Sequence, residues 1–91
     1  MEIHVEHSPE TIKAEIKSFI LKEFLPGESD EALTDDTELV THGVLDSLST
    51  LQLATYIEKT YPVKLQAHEV NIDYMNTLID ITNLIMSKLR A

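Results

Sequence analysis

Apolar residues recur at helical spacing in three stretches of the chain, and turn-forming residues separate them. Ile12, Ile16, Phe19, Ile20 and Phe24 make the first stripe. Ser8 stands before it as an N-cap, and Pro9 takes the first helical position, where its missing N–H costs nothing. Leu25-Pro26-Gly27 stops this helix. Lys13, Lys17 and Lys22 fall off the stripe and are expected on a solvated face. A second helix is predicted from Asp46-Ser47 to about Tyr61, with Pro62 ending it. This helix has two apolar faces. Leu53, Ala54, Ile57 and Tyr61 follow one stripe, while Leu48, Leu51 and Thr55 follow another. Only one of them can face a small core, so the other is a candidate recognition surface. In the last helix Leu78, Ile81, Ile85 and Leu89 form the stripe, with Leu84 beside it. Asn76 or Thr77 caps its start, and Lys88 and Arg90 suit the negative end of its dipole.

The connections read differently. Residues 1–7 alternate in polarity, with Ile3 and Val5 on one side, and are expected to form a flexible tail. His4 and His7 read as exposed histidines, since no carboxylate or third histidine is placed to complete a metal site. The stretch from Glu28 to His42 carries Glu28, Asp30, Glu31, Asp35, Asp36 and Glu38 with no Lys or Arg. It lacks the spaced ligands, central Gly and terminal Glu of an EF-hand, so a solvated acidic loop is expected and no metal site. Leu33, Leu39 and Val40 are its anchors to the core, and Asp36 or Thr37 is expected to cap a short helical turn. Val63 and Leu65 cross back along the core. Ala67 to Asn71 is predicted to form one short helical turn with Val70 inward and His68 on the surface. The pattern as a whole predicts an all-α protein. It is a small four-helix bundle of three longer helices and one short helix, with one domain over 8–91.

Composition narrows the function. The formal net charge of −9 argues against nucleic acid and anionic membrane surfaces and favours partners with basic patches. There is no cysteine, so any thiol chemistry has to arrive on a prosthetic group. No apolar run reaches membrane-spanning length, and the first residues lack a signal peptide's charged start and apolar core. A soluble, cytoplasmic monomer is expected.

The chemistry concentrates at Gly43-Val44-Leu45-Asp46-Ser47-Leu48. A serine at the mouth of a helix lies near solvent, and the unpaired N–H groups and helix dipole favour a phosphate there. A serine hydrolase would need a base, an orienting acid and an oxyanion hole. The stretch is not a G-x-S-x-G elbow. His42 is the nearest base in sequence, and Asp46 is expected to serve as a helix cap rather than to orient an imidazole. The chain also leaves little room for a substrate pocket.

A small Gly loop, then Asp46-Ser47-Leu48, then an apolar helix, set mid-chain in a small acidic helical pattern, resembles the acyl carrier protein family. The resemblance covers about Ser8 to Leu89. It implies that Ser47 carries 4′-phosphopantetheine, donated from coenzyme A by a phosphopantetheinyl transferase. It implies that Asp46 is read by that transferase, while also capping the helix. Cargo is then held as a thioester and passed between enzymes, and the carrier itself is not an enzyme. The resemblance also buries the Leu53 stripe and presents Leu48, Leu51, Gln52, Thr55, Tyr56 and Glu58 to partners. A core between helices that opens slightly would shelter an acyl chain, with Ala54, Ile57, Val70, Ile72 and Leu78 as lining positions; a well-packed core is the other reading of the same residues. Housekeeping fatty-acid carriers usually place one residue between the Gly and the Asp, and here Val44 and Leu45 both intervene. Their second helix is rich in acids, whereas here Glu58 and Lys59 cancel. The wording looks more like discrete carriers of aminoacyl, polyketide or peptide assembly, served by a dedicated acyl or aminoacyl ligase, acyltransferase or synthase. Three alternatives stand beside this: a housekeeping fatty-acid carrier, an unmodified helical adaptor and a Ser47 hydrolase.

Overall fold

A computed structural model describes residues 8–90. The expected tail over 1–7, with His4 and His7, lies outside the described residues. The chain forms α1 (Pro9–Phe24), α2 (Ser47–Thr60), the one-turn α3 (Ile72–Met75) and α4 (Leu78–Arg90). Single 3₁₀ turns lie at Asp30–Ala32 and Ala67–Glu69.

Each long helix starts where the sequence places a cap. The Ser8 hydroxyl accepts the Thr11 N–H at 3.2 Å, and Pro9 opens α1. Thr77, and not Asn76, caps α4, its hydroxyl accepting the Asp80 N–H at 3.0 Å. The turn after α1 needs a positive φ, which Gly27 supplies at 89°. Ile12, Ile16 and Ile20 of α1 are fully buried, as are Leu53 and Ile57 of α2 and Leu78, Ile81 and Ile85 of α4. α1 packs against α4, and α3 closes on α4. Phe19 and Phe24 are only partly buried. They form an aromatic edge instead, Phe24 meeting Phe19 side-on and Phe19 stacking on Tyr56 with ring centres 4.1 Å apart. Tyr61 caps the end of α2, and its buried hydroxyl donates to Glu15 Oε1 at 2.5 Å, tying α2 to α1. Burial, and then the carboxylate it faces, push the Tyr61 hydroxyl well above the usual phenol range.

Several expectations are corrected here. The helical turn of the acidic connection falls at Asp30–Ala32, and Asp36 and Thr37 cap no helix. They instead close a tight turn on Thr34, whose N–H donates to Thr37 Oγ1 and whose hydroxyl donates to Asp36 Oδ1. Lys13 is not free on a solvated face. Its Nζ sits 2.8 Å from Asp35 Oδ2, because the connection folds back over the start of α1 and the Ile79 N–H donates to the Asp35 carbonyl. The expected short helical turn is present as the 3₁₀ turn at Ala67–Glu69, and a further short α-helix that was not expected follows at Ile72–Met75. Asn71 separates the two, its side chain accepting the Asp73 N–H and so starting a new helix. Met75 is fully buried and extends the α4 stripe backwards at i−3 from Leu78, a spacing legible in the sequence.

Candidate functional site

α2 begins where a short polar loop meets a strong cap. The Asp46 carboxylate accepts the Ser49 N–H at 2.8 Å, so Ser47 takes the first helical position with its side chain exposed. The bonds to Ser49, led by its backbone N–H, hold the Asp46 carboxyl below the usual carboxylate range. A carboxyl with a depressed folded pKa stabilises the fold above its unfolded pKa, and that contribution is lost as pH falls through the folded value. Asp46→Asn keeps an acceptor at the cap and removes the titration. We expect thermal melts near pH 7 to be close to wild type and the acid limb of the stability curve to be shallower in the variant. Parallel curves between pH 7 and pH 3 would show that this carboxylate is not coupled to folding.

Ahead of the cap, Gly43 adopts φ of 80°, a turn that L residues rarely take. Leu45 follows it and is buried, with its N–H donating to the Leu39 carbonyl at 3.0 Å. Val44 and Leu45 looked alike in the sequence, and only the tertiary structure distinguishes them. An open groove of about 720 Å³ runs from Ser47 across to α3. Val40, Leu45, Leu51, Val70 and Ile72 give it apolar walls, and Asp46, Ser47, Thr50 and Asn71 supply polar groups. Thr50 is buried, which its position between two leucine stripes did not reveal. The far wall is held by Glu69. Its carboxylate accepts the Gln66 N–H and pairs with Lys88 Nζ at 2.7 Å, and these contacts, the Lys88 one foremost, lower its pKa. Lys88 therefore holds a loop as well as meeting the α4 dipole.

Of the residues expected to line an acyl shelter, Val70 and Ile72 do line this groove. Ala54, Ile57 and Leu78 lie outside the groove and are buried in the core, as the packed-core reading has them. Of the expected partner residues, Leu48 is 65% exposed and Leu51 60%. Gln52 and Thr55 are exposed beside them, the Thr55 hydroxyl donating back to the Leu51 carbonyl. Tyr56 lies apart from this stripe, half-buried against Phe19. Glu58 is exposed, and its carboxylate accepts the Leu65 N–H at 2.8 Å. His42 Nε2 lies 3.8 Å from Glu38 Oε1 and makes no hydrogen bond to Ser47. Among the described residues no group of three or more His, Cys, Asp or Glu is placed to hold a metal ion. Nor is any helix there long and apolar enough to cross a membrane.

The helical frame thus places the exposed Ser47 at a capped helix start, beside a groove open to solvent. The family model described as phosphopantetheine attachment site matches residues 20–85, and the chain belongs to that family. Its prosthetic group is covalent 4′-phosphopantetheine. No curated protein sequence matches the chain. Among solved structures, the chain is similar to one titled "Crystal structure of FAD-dependent dehydrogenase". The TM-score is 0.69 and the identity 34%, over 77% of this chain and 97% of that one.

The residues at the groove fit the group. A phosphate on Ser47 would meet the first N–H groups of a helix of 14 residues, where negative charge is favoured. The groove beside it has room and mixed polarity for an amide-containing arm.

Proposed function

We propose that this protein carries acyl or aminoacyl groups on a 4′-phosphopantetheine arm attached at Ser47, in specialised polyketide, peptide or aminoacyl biosynthesis. The observation that carries this reading is the exposed Ser47 at the capped start of α2, inside the family match and at the mouth of the groove. Attachment joins the Ser47 oxygen to the pantetheine phosphate of coenzyme A. The bond to the adenosine bisphosphate half breaks, and the hydroxyl proton passes to a base on the transferase. Asp46 holds the helix start still and offers a carboxylate to that enzyme. The arm supplies a terminal thiol, on which cargo is held as a thioester. The chain's own part is docking and presentation, and its catalysis belongs to partner enzymes.

The specialised reading is supported by α2, which is nearly neutral although the chain carries a net −9. Its exposed contacts are Leu48, Leu51, Gln52 and Thr55, with Glu58 acidic and Lys59 basic. Rim charges act chiefly on association rate and specificity, so a neutral docking helix loses the steering that acidic carriers exert on basic enzyme patches. The likeness to a chain from a structure titled for a FAD-dependent dehydrogenase is the support for proposing one further partner class. We include a flavin-dependent dehydrogenase, oxidising carrier-bound cargo, among the enzymes this protein serves, beside a dedicated ligase, acyltransferase or synthase. We place it in the cytoplasm as a single folded domain.

Incubation with coenzyme A and a broad phosphopantetheinyl transferase should raise the intact mass by one phosphopantetheine. The modified protein, offered in competition to a fatty-acyl carrier ligase and to the adenylating or acyltransferase enzymes of its own pathway, should be loaded by the latter. We expect the fatty-acid enzyme to be slower by about tenfold or more, the scale on which charge steering acts. Loading and elongation by fatty-acid enzymes at the rate of their own carrier would overturn the specialised reading and leave a housekeeping carrier.

A further inference from the structure

The loop that delivers the chain into Asp46-Ser47 is held from a distant point by one residue. Asn76 ends α3, so its carbonyl is one of the unpaired acceptors of a helix end. The Leu39 N–H uses that carbonyl at 2.6 Å. The Asn76 side chain then turns to the same strand of loop: Oδ1 accepts the Val40 N–H at 2.9 Å and the Thr41 N–H at 3.2 Å. Nδ2 donates to Thr41 Oγ1 at 3.3 Å. Beyond these contacts the loop closes on itself, Gly43 N–H donating to the Val40 carbonyl and Leu45 N–H to the Leu39 carbonyl. Asp46 and Ser47 follow at once. Asn76 is itself held between buried Met75 and Thr77, the cap of α4. A path of bonds thus runs from the core, through Asn76, to the loop that leads into Ser47 and α2.

We propose that Asn76 is the positioning residue for attachment at Ser47, a role that rests on the reading of Ser47 as the modified residue. It touches no reacting atom. It keeps residues 39–45 in one arrangement, so the transferase meets an ordered loop and helix start. Leu39 and Leu45 anchor the loop to the core through their own buried side chains, so we expect the fold to survive the loss of the Asn76 amide. What is lost is preorganisation: two backbone N–H groups lose their acceptor, and the loop samples arrangements the enzyme does not bind. Apparent affinity falls by the fraction of molecules in the competent arrangement.

The test is steady-state kinetics of phosphopantetheine transfer from coenzyme A, with this protein as the varied substrate. For Asn76→Ala we expect KM to rise about tenfold, with kcat within about twofold of wild type. Asn76→Asp keeps an oxygen acceptor for both N–H groups and should restore KM, whereas Asn76→Leu, similar in size, should not. Ile20→Val, a core change in α1 that leaves every bond of the loop in place, serves as the stability control and should leave KM unchanged. Should Asn76→Ala fail to fold, Asn76→Gln, whose oxygen is moved out by one methylene, carries the same test. An unchanged KM in the alanine or glutamine variant overturns the proposal. So does a KM in Ile20→Val that rises with its loss of stability, or an Asp variant as impaired as Leu. Absence of transfer to the wild-type protein would instead bring down the attachment reading itself, and the positioning role with it.

Discussion

Ser47→Ala should fold as the wild type does and take up no phosphopantetheine at all. The two halves of this result have separate causes. Ser47 is exposed at the first position of α2, and the capping there is done by Asp46, whose carboxylate holds the Ser49 N–H. Alanine is a strong helix former, and a surface substitution of this kind usually changes stability by no more than about 0.5 kcal/mol. The hydroxyl, by contrast, is the oxygen that would form the phosphodiester, and alanine leaves nothing to replace it. Ser49 stands two residues on, half-buried, its N–H engaged by Asp46. Intact mass after incubation with coenzyme A and a transferase reads the outcome directly, and fragment masses place the group. Addition that persists in Ser47→Ala, or that moves to Ser49, would remove Ser47 from its role.

Leu53→Ala and Leu51→Ala should separate folding from docking, although the two leucines lie two residues apart on one helix. Leu53 is fully buried in the hydrophobic core. Truncating a buried leucine to alanine removes about 2–5 kcal/mol, transfer and cavity effects together. At about 4–8 °C per kcal/mol for a protein near this size, Tm should fall by about 10 °C or more. Leu51 is 60% exposed at the edge of the groove, so its truncation should leave Tm within a few degrees, about 0.5 kcal/mol. Its effect should appear in the kinetics of transferase and loading enzymes, as weaker binding of the protein. Thermal melts and loading rates on the two variants decide the matter. If Leu51→Ala unfolds the protein at a much lower temperature while its kinetics stay unchanged, Leu51 belongs to the core and the docking face lies elsewhere.

The main divisions of this protein were legible in its residues because they rest on local physics. Ile12, Ile16 and Ile20 fall on one face by helical periodicity alone, and Ser8, Asp46 and Thr77 cap because their short polar side chains reach the first unpaired N–H groups. The two leucine stripes of α2 were both visible, and so was the likeness of the Asp46-Ser47-Leu48 stretch to a carrier family, because the motif is short and contiguous. The tertiary structure decided what depends on residues far apart in the chain. It buried Leu45 and left Val44 half-buried, a choice made by the bond from Leu45 to the Leu39 carbonyl. It paired Lys13 with Asp35, twenty-two residues on. It turned Ala54, Ile57 and Leu78 into packed core and opened the groove at the surface instead, walled by Val70 and Ile72. Asn76 was read as one of two possible caps for α4. Its contact with Val40 spans thirty-six residues, and no periodicity or motif within the chain reports a hydrogen bond made across that separation.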